Sequence, residues 1–107
     1  LALGPPAIFC HLPTVAPLPW PDDPYAGGDG MKLDPSGRLL VACFGAGCLL
    51  AIAPDGRSAR AIEVPLRYPT NVALDPATGA AAVTAVADPW NAPFGGAVFH
   101  LAPDLLA

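Results

Sequence analysis

The chain has 107 residues, a net charge of −4 and only five Lys plus Arg, so it lacks the basic footprint that holds a nucleic-acid backbone or an anionic membrane surface. Hydrophobic residues make up 53% and charged residues 13%, which excludes intrinsic disorder, while 15 Pro and 11 Gly exclude a helical bundle. The apolar runs are far shorter than the ~20 residues that cross a bilayer, and residues 1–9 carry no basic n-region of a signal peptide. The first residue is Leu1 rather than Met, which is expected of a fragment, a processed product or a wrongly assigned start.

In chain order, residues 7–12 read as a strand that ends at Pro13. A Pro-rich loop follows, with Pro19, Trp20, Pro21, Asp22, Asp23, Pro24 and Tyr25 at its rigid centre. Asp22 and Asp23 are neighbours in an extended segment and point in opposite directions, so they read as turn caps and not as a ligand pair. A strand then runs into an Asp-Pro turn at 34–37, followed by an apolar run at 39–43 and a Gly loop at 45–47. A third strand at 49–53 meets a Pro-Asp-Gly turn at 54–56, and a fourth at 58–64 ends at Pro65. Pro presets φ and Gly supplies positive φ at each reversal.

The same series then begins again. Met31-Lys32-Leu33-Asp34-Pro35-Ser36-Gly37 recurs as Val72-Ala73-Leu74-Asp75-Pro76-Ala77-Thr78-Gly79, with the two Asp-Pro pairs 41 positions apart. Apolar residues 80–83 match 39–43, and the strand opening at Val98 and closing at Pro103-Asp104 matches the one closing at Pro54-Asp55. Four short antiparallel strands in about 40 residues make one blade of a β-propeller. Weak polar–apolar alternation in the inner strands is expected when both faces of a blade are packed. An insertion at 88–94 carries Trp90 and Phe94; these aromatics, like those of the Pro-rich loop, either line a mouth or cap blade edges.

The three cysteines, Cys10, Cys43 and Cys48, are odd in number and unclustered, so they read as reduced, buried, Ala-like residues in a cytoplasmic setting. Cys43 and Cys48 flank a hairpin loop, which leaves a cross-strand disulfide as the alternative. His11 and His100 stand apart from other ligand types and read as structural, and Glu63 reads as solvated on an outer strand. No nucleophile elbow, phosphate loop or Cys-x-x-Cys pair is present.

The run from Gly28-Asp29-Gly30-Met31 through Leu39-Leu40-Val41-Ala42 resembles a blade of the senescence marker protein/gluconolactonase/regucalcin family. Pro69-Thr70-Asn71-Val72-Ala73-Leu74 is similar to the opening of that family's next blade, and Gly95-Gly96-Ala97-Val98-Phe99 to its final strand. Gly28 departs from the pattern, standing where the family usually has Pro. The resemblance covers roughly residues 27–102 and implies an all-β fold: two four-stranded antiparallel blades forming the C-terminal part of an incomplete six-bladed propeller. The expected division is an outer strand of a preceding blade at 1–13, an inter-blade loop at 14–28, blade one at 29–66 and blade two at 67–107. Blade two is expected to lack its own fourth strand.

The resemblance also implies a metal-dependent sugar-lactone hydrolase. Asp29 matches the family's metal-ligand Asp at the mouth of the central channel, where it would hold Ca²⁺, Mg²⁺, Mn²⁺ or Zn²⁺ and assist proton transfer. Read as residues alone, Gly27-Gly28-Asp29-Gly30 is simply a turn. Asn71 is expected either beside the same substrate pocket or as a turn former after Pro69-Thr70. The family's other ligands, a Glu and further Asn residues, have no counterpart here, so activity and metal are expected only of the full-length propeller. The missing blades or self-association are expected to supply stability. The rival reading is a non-enzymatic binding or scaffold propeller of the Asn-His-Leu-repeat type.

Overall fold

The computed structural model describes residues 4–16, Trp20 and residues 24–107. Seven strands form two antiparallel sheets. The first has β1 (Gly27–Leu33), β2 (Leu39–Phe44), β3 (Cys48–Ile52) and β4 (Ala59–Glu63) in chain order. The second has β5 (Tyr68–Leu74), β6 (Ala81–Val86) and β7 (Ala97–Leu101), also in chain order. Two one-turn helices flank them, α1 (Leu12–Val15) and α2 (Pro103–Leu106). The sheets are the expected pair of successive blades, the second with three strands. β1 and β5 begin 41 positions apart, the spacing of the sequence repeat.

The repeated turns are built by one device. Asp34 Oδ1 accepts the backbone N–H groups of Ser36 and Arg38, each at 2.9 Å, while Gly37 takes φ 88° to bring the chain round. Asp75 does the same for Ala77 N–H at 2.9 Å, and Gly79 takes φ 78°. The extra residue in the second turn is absorbed by Thr78, whose hydroxyl donates to Asp75 Oδ2 at 2.9 Å. A short carboxylate thus satisfies the backbone donors that a reversing chain exposes. Asp55 closes the β3–β4 turn with Arg57 N–H at 2.9 Å and Gly56 at φ 72°.

Packing explains the missing alternation. One face of sheet one, with Leu40, Leu49, Ala51 and Ile62, meets Val72, Ala81, Val83 and Leu101 of sheet two. The opposite face, with Val41, Cys43, Cys48, Leu50 and Ile52, is covered by Val15 and Ala16, and Cys10, Leu12 and Trp20 add to the cover. β2 and β3 are therefore apolar on both sides. Sheet two has only one packed face; Thr84, Val98 and His100 on β6 and β7 stay exposed.

The expected outer strand at 7–12 does not form. Residues 4–11 have no regular structure and Leu12 opens α1, with His11 as its N-cap and Pro13 in its first turn. A strand is defined by its ladder partner, and residues 7–12 have none among the described residues; Cys10 and Leu12 pack on the face of sheet one while Ile8 and Phe9 stay exposed. β1 also begins at Gly27, two residues before the expected start of blade one. Asp22 and Asp23 lie outside the described residues.

Candidate functional site

Asp29 is the third residue of β1 and sits, exposed, in a break of the β1–β2 register. Gly28 pairs with Cys43 and Met31 with Val41, so Asp29 and Gly30 together face Ala42 alone. Such a bulge leaves residues free of regular pairing and re-aims a side chain. Two glycines flank the bulged Asp29. A Cβ on Gly28 would crowd Val41 Cγ1 at 3.1 Å and Leu12 Cδ1 at 3.3 Å, so a larger residue here would press on the side chains under α1.

β5 carries a matching irregularity between Pro69 and Asn71. Its register shows that Asp29 and Asn71 are not repeat equivalents, because Thr70 aligns with Asp29 and Asn71 aligns with Gly30. They nevertheless occupy the same end of adjacent inner strands. The Asn71 side chain lies where a Cβ on Gly30 would stand, with its Cγ 2.5 Å from that point. Asn71 Oδ1 also accepts the Val72 N–H at 2.9 Å, so one of its acceptor positions is already used. Thr70 turns to the neighbouring strand, its hydroxyl 2.8 Å from that of Thr84.

Two loops meet beside this end. Tyr25, from the Pro-rich loop, and Trp90, from the 88–94 insertion, stand with ring centroids 5.1 Å apart. Phe44 at the end of β2 meets Trp90 edge-on at 6.3 Å and Tyr68 at 5.0 Å, and Arg67 lies 5.6 Å above the Tyr68 ring. Residues from both blades and both insertions therefore form one aromatic rim that links the blades. Spacing does not reveal such a meeting; the available signal is that each insertion pairs Pro with Trp. Asp88 orders the second loop by accepting Trp90 N–H at 2.9 Å and Asn91 Nδ2 at 3.2 Å, and these bonds hold its carboxyl below the usual range.

His11 and His100 are exposed and His100 lies on β7; Glu63 is exposed on β4. Among the described residues no three His, Cys, Asp or Glu side chains gather as a metal site. No helix among them is long and apolar enough to cross a membrane. All three cysteines are free, Cys43 and Cys48 buried and Cys10 half-buried. A cleft of about 680 Å³ opens at the other end of β1 and β5, lined by Leu33, Leu74, Pro35, Pro76, Pro103 and Leu106. It lies beneath the Asp-Pro turns, away from Asp29.

Residues 14–87 match the family described as SMP-30/Gluconolactonase/LRE-like region. A solved luciferin-regenerating enzyme shares the fold with a TM-score of 0.59 at 22% identity, over 70% of this chain and 27% of that protein. The chain thus spans about a quarter of that protein's length. No curated protein matches the sequence. With two successive blades built on the repeat and a family match across most of its length, the chain belongs to the SMP-30/gluconolactonase/LRE-like family of β-propellers.

Proposed function

We propose that this chain is the C-terminal two-blade part of a metal-dependent sugar-lactone hydrolase and supplies one wall of its metal site. The observation that carries the reading is Asp29, an exposed carboxylate in a bulge of the innermost strand, with the Asn71 carboxamide one residue away across the blade junction. The donor chemistry fits a divalent cation, since carboxylate and carboxamide oxygens suit Ca²⁺, Mg²⁺ or Mn²⁺, and Zn²⁺ accepts them too. The donor number does not fill a coordination shell. One carboxylate and a carboxamide already accepting a backbone N–H leave most positions to residues of other blades.

In this reading Asp29 holds the cation and moves a proton at its carboxylate, and Asn71 orients the lactone. A cation bound there supplies polarisation of the ester carbonyl and a more acidic water. The three free cysteines support a reducing, cytoplasmic setting. The isolated chain is inactive.

The test is Asp29→Asn in the chain joined to its upstream blades. Calorimetric affinity for Ca²⁺ or Zn²⁺ is expected to fall by at least roughly tenfold, and lactone hydrolysis to fall with it. Unchanged affinity removes Asp29 from the site. A complete propeller with neither cation binding nor turnover supports the binding-scaffold reading.

A further inference from the structure

We propose that Cys43 and Cys48 are a redox-active dithiol that closes reversibly to a disulfide across the β2–β3 hairpin. The two residues are direct ladder partners, Cys43 on β2 and Cys48 on β3. Directly opposed residues of antiparallel strands stand about 4.5 or 5.5 Å apart at Cα, and both spacings fall within the range that disulfides span. Their side chains also share one face of the sheet, since both belong to the cluster formed with Val41, Leu50 and Ile52. Cys43 Sγ donates to the Val41 carbonyl at 3.5 Å.

The neighbouring Cys48 and burial both raise the Cys43 thiol above its ordinary range. Either thiol can serve as the nucleophile and the other as the resolving thiol. With hydrogen peroxide as oxidant and Cys48 attacking first, the Cys48 thiolate attacks one peroxide oxygen and the O–O bond breaks. This gives a sulfenic acid and, after protonation of the leaving oxygen, water. The Cys43 sulfur then attacks the Cys48 sulfur; the S–S bond forms and the S–O bond breaks. The leaving hydroxide takes the Cys43 proton as a second water. Two thiols and one peroxide yield one disulfide and two waters.

The pair is closed off from solvent, with Cys43 at 0% and Cys48 at 2% exposure. Its cover is the N-terminal segment, where Leu12, Val15, Ala16 and Trp20 pack on the same cluster. The oxidant reaches the pair when that segment lifts. The position links the dithiol to the bulge described above, because Cys43 is also the ladder partner of Gly28, which precedes Asp29. The inference stands on the hairpin alone and does not depend on metal binding.

The test is peroxide treatment of the full chain and of Cys10→Ser, followed by trypsin and mass analysis. Cleavage after Arg38 and Arg57 places both cysteines in one peptide. That peptide is expected to lose two hydrogen masses in both proteins and regain them with dithiothreitol. Thiols titrated in the unfolded chain should fall from three to one, leaving Cys10. Cys43→Ser and Cys48→Ser should each abolish the mass loss, which keeps the assignment open to test if one variant fails to fold. A peptide that gains oxygen without losing hydrogen, a bridge to Cys10, or two thiols that survive while Cys10 is oxidised would each overturn the proposal.

Discussion

The Asn71 carboxamide occupies the space beside Gly30 that the Cβ of any other residue would claim, and the Thr70 carbonyl oxygen stands 2.8 Å from the same point. The inner strands of the two blades approach this closely because Gly30 has no side chain. Gly30→Ala is expected to destabilise the chain by about 1–3 kcal/mol, the usual cost of forcing atoms into filled space. Asn71→Ala removes part of the obstruction but leaves the Thr70 carbonyl. The double variant should therefore cost less than the sum of the single changes, and urea unfolding of all four proteins measures the coupling. Additive costs would show that Gly30 and Asn71 do not press on each other.

The two blades were legible because their turns carry a chemical signature. Asp34 and Asp75 must accept backbone donors, and Gly37 and Gly79 must take positive φ, so the spacing survives even where an extra Thr78 intervenes. The relation of Asp29 to Asn71 was legible only in part. Their shared end follows from the repeat, but the bulges place Thr70, not Asn71, opposite Asp29 in the alignment. The strand expected at 7–12 finds no ladder partner among the described residues: Ile8 and Phe9 stay exposed, Cys10 and Leu12 pack on sheet one, and Leu12 opens a helical turn. The aromatic rim was not legible, since Tyr25 and Trp90 meet only after two loops fold toward each other.

Arg38 joins the first turn to the C-terminal helix. Its Nε donates to Asp34 Oδ2 at 2.8 Å and its Nη2 donates to the Leu106 carbonyl. Arg38→Ala removes both bonds and leaves a helix-end carbonyl without that donor. The site is partly exposed, which keeps the expected loss near about 1 kcal/mol. Arg38→Lys cannot reproduce the forked geometry and should recover less than half of it. Hydrogen exchange adds a specific readout: protection at residues 103–107 should drop in Arg38→Ala and stay unchanged in a surface control such as Arg57→Ala.

Stability should fall in acid through Asp34, Asp75 and Asp88. Burial works to raise Asp34, but hydrogen bonds from Ser36 and Arg38 outweigh it and hold the carboxyl below the usual range. The Ala77 N–H and the Thr78 hydroxyl do the same for Asp75, and the Trp90 N–H and Asn91 side chain for Asp88. Each group is depressed in the folded chain, so its contribution is complete above the unfolded pKa near 4. It disappears as pH falls from there through the lower folded values. The urea midpoint is expected to be flat from pH 7 to 5 and to drop below about pH 4. Changing all three to Asn should flatten that drop; an equally steep fall would place the acid sensitivity elsewhere.

The chain alone is expected to self-associate through the far face of sheet two. Sheet one is covered on both sides, by sheet two and by residues of α1 together with Ala16 and Trp20. Sheet two has no such cover among the described residues: Thr84 and His100 are exposed, and Val98 keeps 68% of its surface. β7 is also an edge strand, with backbone groups unpaired along one side. Propeller blades are stabilised by neighbours, and two units fall short of the three or more that repeat folds usually need. Copies meeting through sheet two are favoured over a head-to-tail ring, because α1 and Trp20 already sit where a second copy would dock on sheet one. Light scattering should therefore give a mass above 10.8 kDa that rises with concentration. Val98→Lys places a charge on the open face, at its edge strand, and should shift the population toward monomer. A monodisperse 10.8 kDa species that unfolds cooperatively would show that the two blades are self-sufficient and that the open face needs no partner.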